Sequence, residues 1–169
     1  MSISDMIVVM KDGVIQQIDK PQRVYDDPAN LFVARFLGTP PINVFEGQVK
    51  GGRLFIGERP VLEVPGVPDR QVWAGIRPEG FIPDDDGPFT CALRGVEVMG
   101  RDISVVCAHE LHQAPQIRAI ISAENVIDEG KKNVRFSLKP YKVLLFDRAT
   151  EARIHFDTDR KGALRHGGQ

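Results

Sequence analysis

From residue 42 onward the chain is divided into short apolar runs rich in β-branched residues, with Gly or Pro between them. Runs of that length and composition, bounded by turn residues, read as strands. Their positions are 42–50, 53–56, 61–64, 71–76, 90–99, 103–109, 116–121, 135–138, 143–146 and 153–156. Gly51-Gly52 joins the first two as a hairpin, and Met99-Gly100-Arg101-Asp102 joins two later ones. Such spacing predicts a small barrel or sandwich. Only 123–127 offers a short helical turn. The β region divides into halves, 42–80 and 89–156, which either supply one barrel each or join in one. Between them GFIPDDDGP (80–88) reads as a linker.

The preceding stretch has another character. Asp12-Gly13 lies between two apolar runs, and that dipeptide suits a turn whose central residues need positive φ. Ile7-Val8-Val9-Met10 is continuously apolar, as in a strand buried on both faces, with 14–18 as its hairpin partner. A chain that opens on such a strand, with no earlier element to pair with it, reads as a cut. Pro21 suits a first helical turn that continues over 22–26, and Pro28 ends it. Asn30 is placed to cap a helix over 31–37, Gly38 to close it, and Pro40-Pro41 forbids continuation. This segment is too short to build a core alone.

Composition removes several classes of function. A net charge of −1 provides no basic footprint for nucleic acid and no polybasic membrane patch. The longest apolar runs are far too short to span a bilayer. Residues 1–5 lack the basic start and apolar core of a signal peptide. Cys91 and Cys107 make no disulfide framework, so a reducing cytoplasmic setting is expected.

The junction then carries a resemblance. MKDGVIQQIDKPQRVYDDPANLFVARFLGTPPIN (10–43) is similar to the end of the nucleotide-binding domain in ATPase subunits of bacterial ABC importers. The branch it resembles handles maltose, other oligosaccharides and glycerol-3-phosphate. Its pattern M-x-D-G-x-I-x-Q, P-x-x-x-Y-x-x-P and F-V-A-x-F-x-G-x-P-x-N is met from Met10 to Asn43. Gly75-Ile76-Arg77-Pro78-Glu79 matches its G-I-R-P-E, and 96–100 its V-E-x-x-G hairpin. Leu145-Phe146-Asp147, Thr150 and Ile154 match its closing L-F-D-x-x-T-G-x-x-I, with Glu151 where glycine is usual.

The resemblance implies a mainly β chain. A β-hairpin and two short helices at 1–41, left from a truncated α/β ATPase domain, would precede an OB-fold-type (TOBE) barrel at 42–156. A disordered tail is expected at 157–169. It also implies a regulatory and dimerisation domain that tethers and tunes two motor domains. The expected partners are a second copy, the membrane-spanning subunits through the motor domain, and a regulatory protein or small effector; nucleic acid is not among them. Its setting would be the cytoplasmic side of the cell membrane. ATP and Mg would belong to the full-length parent, with no cofactor in this chain. No G-x-x-x-x-G-K-[ST] loop occurs, so the chain by itself is not expected to hydrolyse ATP. The alternative is a free-standing barrel that binds a small oxyanion or a sugar, with Arg77 or Arg101 as anion donors.

No residue is assigned a catalytic role and none a metal. Gly75, Arg77, Pro78 and Glu79 are the candidate contact to a second copy or an effector, through charge-assisted bonds. The competing reading is that Pro78 ends a strand and the two charges satisfy nearby backbone groups. Cys107-x-His109-x-x-His112 has zinc-binding chemistry but lacks a fourth ligand, and reads as a strand end and loop. Asp84-Asp85-Asp86 reads as a solvated turn, and Trp73 as core.

Overall fold

A computed structural model describes residues 5–158, so most of the tail expected to be disordered (159–169) lies outside the described residues. The chain starts with a hairpin of β1 (Ile7–Lys11) and β2 (Val14–Asp19), followed by helices α1 (Pro21–Asp26) and α2 (Leu31–Ala34). Asp12 and Gly13 adopt φ of 51° and 78°, the left-handed values that their turn requires.

Eleven further strands follow. They are β3 (Asn43–Lys50), β4 (Arg53–Ile56), β5 (Arg59–Glu63), β6 (Arg70–Ile76), β7 (Phe81–Pro83) and β8 (Phe89–Met99). Then come β9 (Asp102–Ala108), β10 (Ile117–Ser122), β11 (Asn133–Leu138), β12 (Val143–Asp147) and β13 (Arg153–Ile154). One sheet has the order β13-β12-β6-β3-β4-β5 and the other β10-β9-β8-β11-β7. All pairings are antiparallel. The chain is mainly β, and its nearly closed five-stranded barrel is OB-like.

The second sheet is an insertion between neighbours of the first: β12 returns to pair with β6 after the chain has built β7 to β11. One core lies between the sheets. Phe45, Val72, Ala74 and Leu145 from the first meet Phe89, Cys107, Ile117 and Phe136 from the second. Burial in β3 alternates after Phe45, as expected when one face meets the core and the other meets water. In β12, residues 143–146 are all buried, because both faces are covered. Val143 and Leu145 enter the main core, whereas Leu144 and Phe146 pack with Leu31 and Ala34 of α2. The N-terminal helix thus seals the outer face of the six-stranded sheet. Each fully buried Leu or Phe contributes about 1.5–3 kcal/mol.

Four expectations are corrected. The 80–88 segment contains a strand, β7, paired with β11, followed by a turn in which Gly87 N donates to Asp84 O at 2.8 Å. The second helix stops at Ala34 rather than residue 37, where its carbonyls are drawn to a side chain described below. Residues 123–127 form a turn and irregular chain rather than a helical one. Finally, β1 is not buried on both faces. Val9 packs on Val24 and Val33, but Val8 and Met10 are 48% and 51% exposed, because only one layer covers the hairpin.

Candidate functional site

Arg77 follows the last residue of β6 and is 1% exposed, although charged residues are rarely so buried. The reason is a set of helix ends. An α-helix leaves its last carbonyls without intrahelical partners. Arg77 Nη1 donates to Ala34 O at 2.9 Å and Leu37 O at 3.1 Å, and Nη2 donates to Tyr25 O at 2.6 Å. One planar guanidinium thereby caps the ends of both helices, and its Cζ lies 3.9 Å from the centroid of the Tyr25 ring. Burial pulls the Arg77 pKa below its ordinary value, partly offset by Tyr25 and Glu79.

Pro78 opens a short 3-10 turn (Pro78–Gly80) that brings Glu79 back toward the same ring. Tyr25 Oη donates to Glu79 Oε2 at 2.6 Å, and Lys142 Nζ lies 3.1 Å from that oxygen. Burial works to raise the Glu79 pKa. The Tyr25 hydroxyl, a backbone N–H and Lys142 more than offset it and hold the carboxyl below its usual range. Tyr25 is pushed well above the usual phenol value by burial first and then by the Glu79 carboxylate. Gly75 leaves room for a close neighbour: a Cβ there would lie 2.8 Å from Ile42 Cδ1, the far end of that side chain. The structure therefore gathers Gly75, Arg77, Pro78 and Glu79 into a joint between the N-terminal elements and the barrel. Arg77 is 1% exposed and gives three of its N–H groups to this chain's own carbonyls, so it is closed off from an anion in solvent. A second tie lies nearby, where Arg153 Nη1 and His155 Nε2 reach Asp27 Oδ1 at 3.1 and 2.8 Å.

The other sequence candidates go to packing. Cys107 is fully buried in β9. The His109 ring stacks on Phe89 at 5.4 Å, and its Nδ1 accepts from Leu111 N. His112 lies against Phe45 at 4.9 Å and bonds Ala114 O through Nδ1. Among the described residues, no group of three or more His, Cys, Asp or Glu side chains is placed to hold a metal ion. Asp84 Oδ1 accepts from Asp86 N at 2.9 Å and shapes the acidic turn. Trp73 packs beside Phe146 and Leu144, with Arg148 4.7 Å above its ring.

The loop that carries the two histidines docks on the first half of β3, on the side that β4 leaves unpaired, where Glu46 N donates to Leu111 O and Gln113 N to Val44 O. Burial holds both imidazoles below their ordinary value; the Glu110 charge opposes this at His109, and His109 reinforces it at His112. In the unfolded chain each would gain a proton near pH ~6.5. The unfolded state then binds more protons, so stability from this loop is present above that pH and is lost as pH falls through the lower folded values. Amide-exchange protection at Glu46 and Gln113 is expected to drop between about pH 7.5 and 5, with the β6 amides as reference. Protection that stays level across this range would show that the histidines do not hold the loop.

No family model matches the chain. Curated relatives do. An ABC transporter ATP-binding protein of Mycoplasma pneumoniae, an MG187 homolog, is 35% identical over 91% of this chain and 26% of its own length. The sulfoquinovosyl glycerol transport ATP-binding protein SmoE of Agrobacterium fabrum is 33% identical over 92% of this chain and 45% of its own. The sn-glycerol-3-phosphate import ATP-binding protein UgpC of Chromobacterium violaceum is 32% identical over 97% of this chain and 45% of its own. The chain spans less than half the length of these relatives. Among the described residues, no helix is long and apolar enough to cross a membrane. Over some nine-tenths of its length the chain is homologous to the ATP-binding proteins of ABC transporters, matching a C-terminal fragment of them.

Proposed function

We propose that this chain is the regulatory and dimerisation region of the ATP-binding subunit of an importer for sugars or glycerol-3-phosphate-like solutes. The Arg77 joint is the observation that carries this reading. It fixes α1 and α2 to the barrel through one buried cation, so that a displacement of the N-terminal elements is passed to the barrel rather than absorbed by a slack linker. Glu79, with a side chain 36% exposed, is the member of 75–79 left to meet a second copy or an effector. Gly75, Arg77 and Pro78 act from inside.

Two barrels paired in a dimer, each fixed in this way to its own N-terminal elements, keep two motor domains at high effective concentration, so that they close on ATP and reopen without separating. An effector that prefers one spacing of the pair tunes transport by that preference. ATP and Mg belong to the motor domain of the parent, and membrane-spanning subunits reach this region through it. The whole assembly sits on the cytoplasmic face of the membrane.

Sedimentation equilibrium across a wide concentration range tests the reading. A tight dimer is the expected result. A monomer that persists at high concentration would remove the tether mechanism.

A further inference from the structure

The β1–β2 hairpin has one covered face and one bare face. Val9 packs inward on Val24 and Val33, and the Lys11 ammonium lies 5.3 Å from the centroid of the Phe32 ring. Successive side chains of a strand alternate between faces, so Met6, Val8 and Met10 point the other way. Ile18 and Ile15 stand opposite Val8 and Met10 in the ladder and join them there. These five apolar side chains are each 48–54% exposed, and none carries a charge.

The edge of β1 is as open as this face. Among the described residues, β2 is the only strand paired with β1, so alternate residues of β1 turn their N–H and C=O groups away from the ladder. Such an edge is a template for another strand, and proteins blunt it with charges, prolines or bulges. β5, at the end of the six-stranded sheet, is blunted in this way by Arg59, Pro60 and Glu63. β1 holds no proline, and the irregularity in its ladder leaves the extra residue, Gln16, on β2. Its charges stand only at its two ends: Asp5 before the strand and Lys11 at its last position.

The strand that fits this edge is the edge itself. An antiparallel pair with a twofold axis at Val8 sets Met6 against Met10, Ile7 against Val9, and Val8 against its own counterpart. It also sets Asp5 against Lys11, twice. Opposite charges facing each other across a ladder are favourable and like charges are not. A centre one residue later, at Val9, would set Lys11 against Ile7 and leave Asp5 without a lysine opposite, so the charges select the register. In the selected register the two bare faces continue as one. We propose that a second copy of this chain pairs along this edge, giving a four-stranded antiparallel sheet of order β2-β1-β1-β2. Two strands are marginal alone, and four sharing an apolar face are not. The contact is isologous and closes on itself. The barrel takes no part in it, so it stands or falls apart from a dimer of barrels.

Sedimentation equilibrium of the full chain in about 10 mM salt, where charge is felt over roughly 30 Å, measures the pairing. Lys11→Glu and Asp5→Lys each set like charges opposite one another, and each is expected to weaken self-association about fivefold or more. Both residues are exposed, and far-ultraviolet dichroism checks that the fold is kept. The two variants mixed in equal amounts are expected to pair with each other, and both exchanges in one chain to restore the parent affinity, which a damaged fold could not do. Amide exchange is expected to slow with concentration at the β1 amides that face away from β2. The Met6 and Met10 methyl signals are expected to shift with it, with Met99 as reference. A dimer lost in Lys11→Glu and regained in the mixture supports the edge and counts against a dimer of barrels. A dimer whose affinity neither charge substitution changes runs through another surface; it overturns the proposal and leaves the barrel reading standing. A chain that stays monomeric into the millimolar range overturns both.

Discussion

Replacing Gly87 with alanine is expected to cost more than about 3 kcal/mol or to prevent folding, beyond the usual range for overpacking. A Cβ at this position would stand 2.3 Å from both the carbonyl carbon and oxygen of Phe136, and 2.8 Å from Ser137 N. These are backbone atoms of β11, which is paired on one side with β8 and on the other with β7. No rotamer change relieves such a clash; either β11 leaves its ladders or the 84–87 turn is pushed off the sheet. The turn cannot retreat freely, since Gly87 N donates to Asp84 O and Gly87 O accepts from Arg135 Nε, both at 2.8 Å. Gly75→Ala provides the control. There the added atom meets the end of the Ile42 side chain, which can turn away, so the cost is expected to stay within about 1–3 kcal/mol. Urea unfolding followed by far-ultraviolet dichroism measures both variants. A Gly87→Ala midpoint close to that of the parent would show that β11 yields where the ladder argument says it cannot.

Arg77→Met is expected to destabilise the chain by about 3–5 kcal/mol, the range for removing one partner of a buried charged contact. Methionine fills much of the volume but provides no donor. The carbonyls of Tyr25, Ala34 and Leu37 would then stay out of water with no partner from residue 77, at about 1–3 kcal/mol for each left unsatisfied. Arg77→Lys is expected to recover only part of the loss, because a point charge cannot span three acceptors as a planar fork does. Position adds a second readout. The carbonyls belong to the helices and the cation to the barrel, so proteolysis between residues 20 and 40 is expected to precede cleavage of the barrel strands. If the two regions are cut at the same rate in Arg77→Met, the joint is not what holds the N-terminal elements in place.

Much of the fold was legible because its signals are local. Asp12-Gly13 states its turn in two residues, and Asn30 states a helix start whose side chain accepts from Val33 N at 2.9 Å. Each of the ten strands read from sequence is present, with ends displaced by a few residues at most. β7 was missed because three residues, the last a proline, are too few to show alternation, while the acidic turn beside them looks like linker. The exposed outer face of β1 was misread for a related reason: a continuous apolar run does not say how many layers will cover it. The site was harder to see. Arg77 lies 52 residues from Tyr25 and 43 from Ala34, and spacing along a strand does not say which helix ends will arrive there. Its position between Ile76 and Pro78, both apolar, was the one local hint of burial.

The insertion of one sheet between neighbours of the other also determines when the molecule can close. Arg153 secures Asp27 across 126 residues, and β12 completes the sheet begun by β3 and β6 only after the inserted strands are made. On the ribosome, the outer face of that sheet and the underside of α2 must therefore wait, uncovered, for nearly the last strands to emerge. Loop closure over such distances is entropically slow to reward the growing chain. Helices α1 and α2 precede the barrel strands in the chain, yet the packing of α2 on β12 and the Arg153–Asp27 contact form only once nearly the last strands are made. During that interval the nascent segment is the part most in need of protection from wrong partners.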